Sequence, residues 1–203
     1  MCIKKYLGQY FVAAISTDIG KTHFVTKYCR KIEHSFAIKP IISGFKKEDH
    51  ESDSAKILNA LGLEINQHNL DLISPWRFEL AASPHIAAND EINFTELVDF
   101  CHNNIKKAQK AGKTLFIESA GGIMTPINKD KTFIDLAQKL QIPVILITAN
   151  FLGSISQTLC CIESLKSRNI TIETIIVNNP PQLKINDSKI SDKDFLKYIT
   201  NYK

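Results

Sequence analysis

Tyr10-Phe11-Val12-Ala13-Ala14-Ile15-Ser16-Thr17-Asp18-Ile19-Gly20-Lys21-Thr22 is the stretch on which the fold turns. Its apolar first half, Tyr10–Ile15, reads as a buried strand. A short polar loop follows, and Lys21–Lys31 continues as a helix. Between the two, Gly20-Lys21-Thr22 has the chemistry of a phosphate-binding loop. Backbone N–H groups at a helix start face an anion, a lysine reaches the outer phosphates, and a threonine hydroxyl is a ligand for Mg²⁺. The usual first glycine of such loops is replaced by Ile15, so the reading depends on the strand before and the helix after.

Working outward, strands and helices alternate. Phe36–Ile38, Thr114–Ile117, Val144–Thr148 and Ile172–Val177 read as strands. Asp53–Leu61, Phe94–Ala111, Thr132–Leu140 and Gln157–Ser167 read as helices, two of them stopped by Gly62 and Gly112. Val144–Thr148 is apolar throughout, as a strand covered on both faces must be. The expected architecture is α/β: a single-domain P-loop NTPase-like fold over residues 1–203, its mostly parallel sheet flanked by helices on both faces. Ligands in such sheets sit at the carboxyl ends of the strands.

Composition narrows the field. The 203 residues are 44% hydrophobic and 23% charged, which are globular values. No apolar run approaches the roughly 18 residues needed to cross a bilayer, and no apolar segment backs Lys4 and Lys5, so a cytoplasmic protein is expected. The net charge of +4 comes from scattered basic residues without an aromatic-interleaved stripe, which argues against nucleic acid and suits small anions. Cys2, Cys29, Cys101, Cys160 and Cys161 form no CxxC pair and read as free thiols.

The residues that follow each strand carry the chemistry. Lys39, in Lys39-Pro40-Ile41-Ile42-Ser43-Gly44, would emerge at the same sheet edge as Lys21, as an exposed side chain contributing little to stability. Two lysines over one phosphate would stabilise charge in phosphoryl transfer. Asp53 opens a helix, a place that equally suits a first-turn acid. Ser83-Pro84-His85 opens another, with Pro84 in its first turn. Glu118 ends an apolar strand ahead of Gly121-Gly122, where a carboxylate could bind Mg²⁺. Gly153-Ser154-Ile155-Ser156 forms an open helix start, and Asn178-Asn179 offers amides for a base edge.

Taken in order, these segments resemble the dethiobiotin synthetase family. Thr17, Asp18 and Gly20-Lys21-Thr22 match its phosphate loop, and Lys39 to Gly44 its lysine segment. Ser52-Asp53, Ser83-Pro84-His85, Glu118 to Gly122 with Thr125-Pro126, Leu152-Gly153, and Val177 with Asn179 match its later elements. The resemblance implies an ATP- and Mg²⁺-dependent ligase of biotin biosynthesis, which joins CO2 to 7,8-diaminononanoate through a carbamate and a phosphorylated carbamate. It implies Thr22, Asp53 and Glu118 as metal ligands, and Lys21 and Lys39 as catalytic, with Thr17 and Ser43 nearby. It implies ATP contacts from Asp18, Ile19, Gly20, His23, Gly121 and, at the adenine, Asn179. Lys39, Ser43, Ser83 and Pro84 would meet the diamine. Gly153, Ser154, Ile155 and Ser156 would serve the neighbouring site of a homodimer whose diamine sits at the interface.

The chain departs from the family at Ala14-Ile15-Ser16, at Leu80-Ala81-Ala82, and after Pro181, where the segment that helps enclose adenine is not recognisable. A MinD/ParA-type ATPase switch is the alternative from another class. Ala14–Asp18 lacks the second lysine of those loops. A degenerate, inactive relative is opposed by the intact Lys21, Thr22, Lys39, Asp53 and Glu118.

Overall fold

In the computed structural model, residues 6–47, 49–180 and 191–200 are described. The chain runs β1 (Gln9–Ala14), α1 (Lys21–Cys29), β2 (Ser35–Ile38), β3 (Ile41–Ser43), α2 (Asp53–Ala60), α3 (Gln67–Ile73), β4 (Trp76–Phe78) and α4 (Pro84–Ala87). It continues through α5 (Phe94–Lys110), β5 (Thr114–Glu118), α6 (Phe133–Leu140), β6 (Val144–Thr148), α7 (Ser154–Ser167), β7 (Ile172–Val177) and α8 (Asp192–Thr200).

Among the described residues the central sheet has the order β2-β5-β1-β6-β7, parallel throughout. β1 lies in the middle because it is apolar on both faces: Phe11 to Ala14 are all fully buried. Its register sets Val12 against Glu118 of β5 and Ile145 of β6. The order of connections reverses beside β1, which puts the crevice of an open parallel sheet at its carboxyl end. Helices flank the sheet, and one contiguous hydrophobic core runs from Tyr6 to Ile199.

Side chains alternate along β5, so Phe116 and Glu118 share a face. Phe116 packs with Tyr6, Tyr10, Phe24 and Tyr28, its ring centroid 5.8–6.4 Å from each of theirs. This aromatic cluster seats α1 on the sheet and holds Lys21 and Thr22, at the helix start, over Glu118.

Three elements carried no readable pattern in the sequence. β3 and β4 form a separate two-stranded parallel sheet, with Ile41 against Trp76 and Ser43 against Phe78. Strands of three residues are too short to display a period. Helix α3 is polar apart from Leu70, Leu72 and Ile73, and Asn66 caps it by accepting from the Asn69 N–H at 2.9 Å. α7 starts at Ser154 rather than Gln157, and α1 ends at Cys29 rather than Lys31. Cys29, Cys101, Cys160 and Cys161 are free thiols. Among the described residues no helix is long and apolar enough to cross a membrane. Cys2 and the Pro181 departure, with most of the stretch after it, lie outside the described residues.

Candidate functional site

At the carboxyl end of β1 the chain turns through Asp18 (φ 53) and Gly20 (φ 94) into α1. Gly20 is the N-cap, and among the described residues no side chain caps the helix, so its first amides are open toward the cleft beyond. The cleft has a volume of about 750 Å³, in the range of small-ligand sites. One wall is the loop itself, with Thr17, Asp18, Gly20, Lys21 and Thr22. The floor carries Lys39, Asp53 and Glu118, and the far wall Ser43, Ala81, Ala82, Ser83 and Pro84. Ala120, Gly121, Thr125 and Pro126 close one side.

The floor is an ion cluster. The Thr22 hydroxyl donates to Glu118 Oε1 at 2.6 Å. The Lys39 ammonium donates to the same oxygen at 2.9 Å and also to Asp53 Oδ2. Lys39 is 6% exposed and Glu118 1% exposed. The expectation of an exposed Lys39 is therefore corrected: it leaves the end of β2 pointing inward, because two carboxylates wait there. Burial alone would lower its pKa, but Glu118 and then Asp53 outweigh that and hold it above the ordinary lysine value. Burial would likewise raise Asp53, and the Lys39 charge and hydrogen bond overcome it and hold it low. Lys21 has no such partner among the described residues. Its ammonium donates to the Ser16 carbonyl at 3.3 Å. Burial, then the Lys39 charge, push it down to about 8 against the pull of Glu118, Asp53 and Asp18.

The donor set fits magnesium. Glu118 Oε2 is buried and has no hydrogen-bond partner among the described residues, an acceptor that a cation would satisfy. Beside it stand the Thr22 hydroxyl and the Asp53 carboxylate, all hard oxygen donors. No group of three or more His, Cys, Asp or Glu side chains gathers among the described residues. Two carboxylates and a hydroxyl are what Mg²⁺ takes from a protein when phosphate oxygens and waters complete its shell.

Of the residues singled out from sequence, Thr17, Asp18, Gly20, Lys21, Thr22, Lys39, Ser43, Asp53, Ser83, Pro84, Glu118 and Gly121 meet at this one cleft. Ser43 Oγ is buried without a hydrogen-bond partner among the described residues. Others do not join. Ile19 is 2% exposed and belongs to the core. His23 is exposed on α1, outside the lining. Asn179 is absent from the lining, and its carboxamide is engaged: it accepts from the Asn150 N–H at 3.0 Å and donates to Asp192. Gly153, Ser154, Ile155 and Ser156 lie off this cleft. Ser154 is buried, its hydroxyl donating to the Phe151 carbonyl at 2.6 Å, so only its backbone could meet a ligand.

Sequence reasoning did not mark Lys56, Ala81 and Ala82 as lining residues, because each comes from an element whose facing surface has no local signal. Thr125 fixes the adjacent turn by accepting from the Gly122 N–H at 2.9 Å.

A family model described as an AAA domain matches residues 8–200. The ATP-dependent dethiobiotin synthetase BioD of Legionella pneumophila (strain Paris) is 36% identical over 179 residues, covering 85% of this chain and 80% of that protein. The BioD of Phenylobacterium zucineum is 37% identical over 179 residues, 85% of this chain and 76% of the relative. That of Francisella tularensis subsp. novicida is 35% identical over 198 residues, 91% and 84%. Among solved structures, a ParA family ATPase from Chlorobium tepidum superposes with a TM-score of 0.56 over 96% of this chain and 82% of its own, at 15% identity. That likeness is one of fold.

Proposed function

The chain belongs to the ATP-dependent dethiobiotin synthetase family, and on that premise we propose that it uses ATP and Mg²⁺ to close a cyclic urea from CO2 and 7,8-diaminononanoate, in biotin biosynthesis. The observation that carries this reading is the Lys39 ammonium shared between Glu118 and Asp53, directly below Lys21 and Thr22. A phosphate loop alone serves many NTPases. A second buried lysine on the floor, with an open wall of Ser43, Ser83 and Pro84 opposite, makes room for a second, anionic reactant.

The reaction balances in three steps. One amine adds to CO2, a C–N bond forms, an electron pair moves to oxygen and a proton leaves, giving a carbamate. A carbamate oxygen then attacks the γ-phosphorus, and the bond to the bridging oxygen breaks to release ADP. The second amine attacks the carbonyl carbon, the C–O bond to phosphate breaks, and inorganic phosphate and a proton leave. Lys39 and Lys21 stabilise the carbamate and the charge on the phosphoryl group in flight, while the loop amides orient the chain of phosphates. Thr22, Asp53 and Glu118 would hold Mg²⁺, which neutralises phosphate oxygens when bound. Ser43 would hydrogen-bond the carbamate, and the Ser83–Pro84 wall would hold the diamine. The unit acting is one domain over residues 1–203, paired as a homodimer in which Gly153–Ser156 serves the partner's diamine.

A switch ATPase shares the fold, but the curated relatives favour the ligase. Phosphate release is the test. It should require both bicarbonate and 7,8-diaminononanoate, with one cyclic urea formed per ADP. Release that ignores the diamine sinks the proposal.

A further inference from the structure

Lys56 lines the cleft but takes no part in the ion cluster on its floor. It stands three residues after Asp53 on α2, about one turn on and on the same stripe of the helix. Side chains on a helix lean toward its N-terminus, so Lys56 leans back toward Asp53. Its charge is felt there: burial would raise the Asp53 carboxyl, and Lys39 and then Lys56 hold it low. The helix itself gives no reason for a lysine at this place. The N-terminal end of a helix carries partial positive charge, which disfavours a cation. The ion partner of Lys56 among the described residues is Glu51, 3.7 Å away, with side chains 47% and 86% exposed, and such a pair contributes little.

We propose that Lys56 is a phosphate-binding residue whose ammonium takes up the terminal phosphate of ATP from α2, a role that rests on the reading of this cleft as the ATP site. Three lysines, Lys21, Lys39 and Lys56, line the cleft against three carboxylates, Asp18, Asp53 and Glu118. Lys39 is taken up by Asp53 and Glu118. Mg·ATP is an anion, and its charge must be met by cations that the floor has not already neutralised. Lys21 meets it from the phosphate loop. Asp53 belongs to both the metal's donor set and α2, so a phosphate that reaches the metal on the Asp53 side comes within reach of the flexible Lys56 stem one turn behind. ADP lacks that phosphate, and Lys56 therefore separates ATP from ADP where the loop amides, which serve both, do not.

Calorimetric titration with Mg·ATP and Mg·ADP, without diamine, tests this. Lys56→Gln keeps the helix propensity and removes the charge. It should bind Mg·ATP about tenfold more weakly and Mg·ADP within about twofold of wild type. Lys56→Arg, which keeps the charge, should hold Mg·ATP within about threefold. The urea midpoint of Lys56→Gln should match or exceed that of wild type, since the lost cation sat at the wrong end of a helix. Wild-type protein that binds ATP and loses it on Lys21→Ala, while Lys56→Gln binds ATP as wild type does or loses ATP and ADP equally, overturns the role of Lys56 alone. Wild-type protein that does not bind ATP overturns the reading of the site as well.

Discussion

Cutting Lys39 back to alanine would leave Glu118 and Asp53 facing one another on the cleft floor without their shared cation. Removing one partner of a buried pair destabilises by about 3–5 kcal/mol, and the 40% exposure of the Asp53 side chain puts this case toward the lower end. Lys39→Ala should therefore unfold at lower urea, and turn over about 10²-fold more slowly or worse even when corrected for the folded fraction. Denaturation and kcat measured on one preparation decide it; wild-type values of both would mean that water replaces the ammonium at no cost. Position alone made Lys21, Thr22, Glu118 and Lys39 legible, since each follows or ends a strand of a parallel sheet. The burial of Lys39 was not legible. Its partners are 14 and 79 residues away, and an isolated lysine is ordinarily a surface residue. Nor could the sequence tell Asn178 from Asn179. Neighbouring residues diverge in direction, and only the assembled sheet puts one over the loop and the other against α8.

Elements were legible where they were long or wholly apolar, and illegible where tertiary contacts alone define them, as in β3, β4 and α3. Helix α6 was marked by its sequence, and its start is held by Asp135, which accepts from the Thr132 N–H and hydroxyl, each at 2.8 Å. Arg168, just past α7, donates to the same carboxylate at 2.6 Å and ties the two helices together. Burial pushes the Asp135 pKa up, but the Thr132 bonds and Arg168 overcome it and hold it below the ordinary value. A depressed carboxyl stabilises the fold above its unfolded pKa of about 3.9, and that contribution disappears as pH falls through the folded value. Asp135→Asn should cost about 1 kcal/mol at pH 7, and the gap from wild type should narrow as pH falls through the lowered folded-state value. Urea unfolding followed from pH 7 into acid reads it. A gap that persists in acid would assign the loss to packing rather than charge.

At the scale of the molecule, the central sheet delivers one half of the expected substrate machinery to the cleft and leaves the other half outside it. Gly153 to Ser156 lie off the cleft, Leu152 beside them is 97% exposed, and a β-carbon on Gly153 would meet nothing within 4 Å. An apolar side chain set in solvent at a bare helix start suits contact with a second copy. Light scattering at micromolar concentration should give twice the chain mass of 22.8 kDa. A monomer in the presence of ATP and the diamine would undo the shared site. The sheet itself was readable from the sequence because its three middle strands, β5, β1 and β6, are buried almost throughout. A pairing of two copies is implied only by the family resemblance, since an interface leaves no period in a single chain.

The Asn178 carboxamide donates to the Ile19 carbonyl at 2.7 Å right beside Gly20, and that contact limits the order in which this sequence can change over generations. Any side chain arriving first at position 20 collides with the carboxamide and with a left-handed backbone at once. A smaller residue arriving first at position 178 removes the collision but frees the Ile19 carbonyl. One route is closed at its first step and the other leaves the Ile19 carbonyl without that donor. The pair is thus a ratchet: each residue constrains what the other can become.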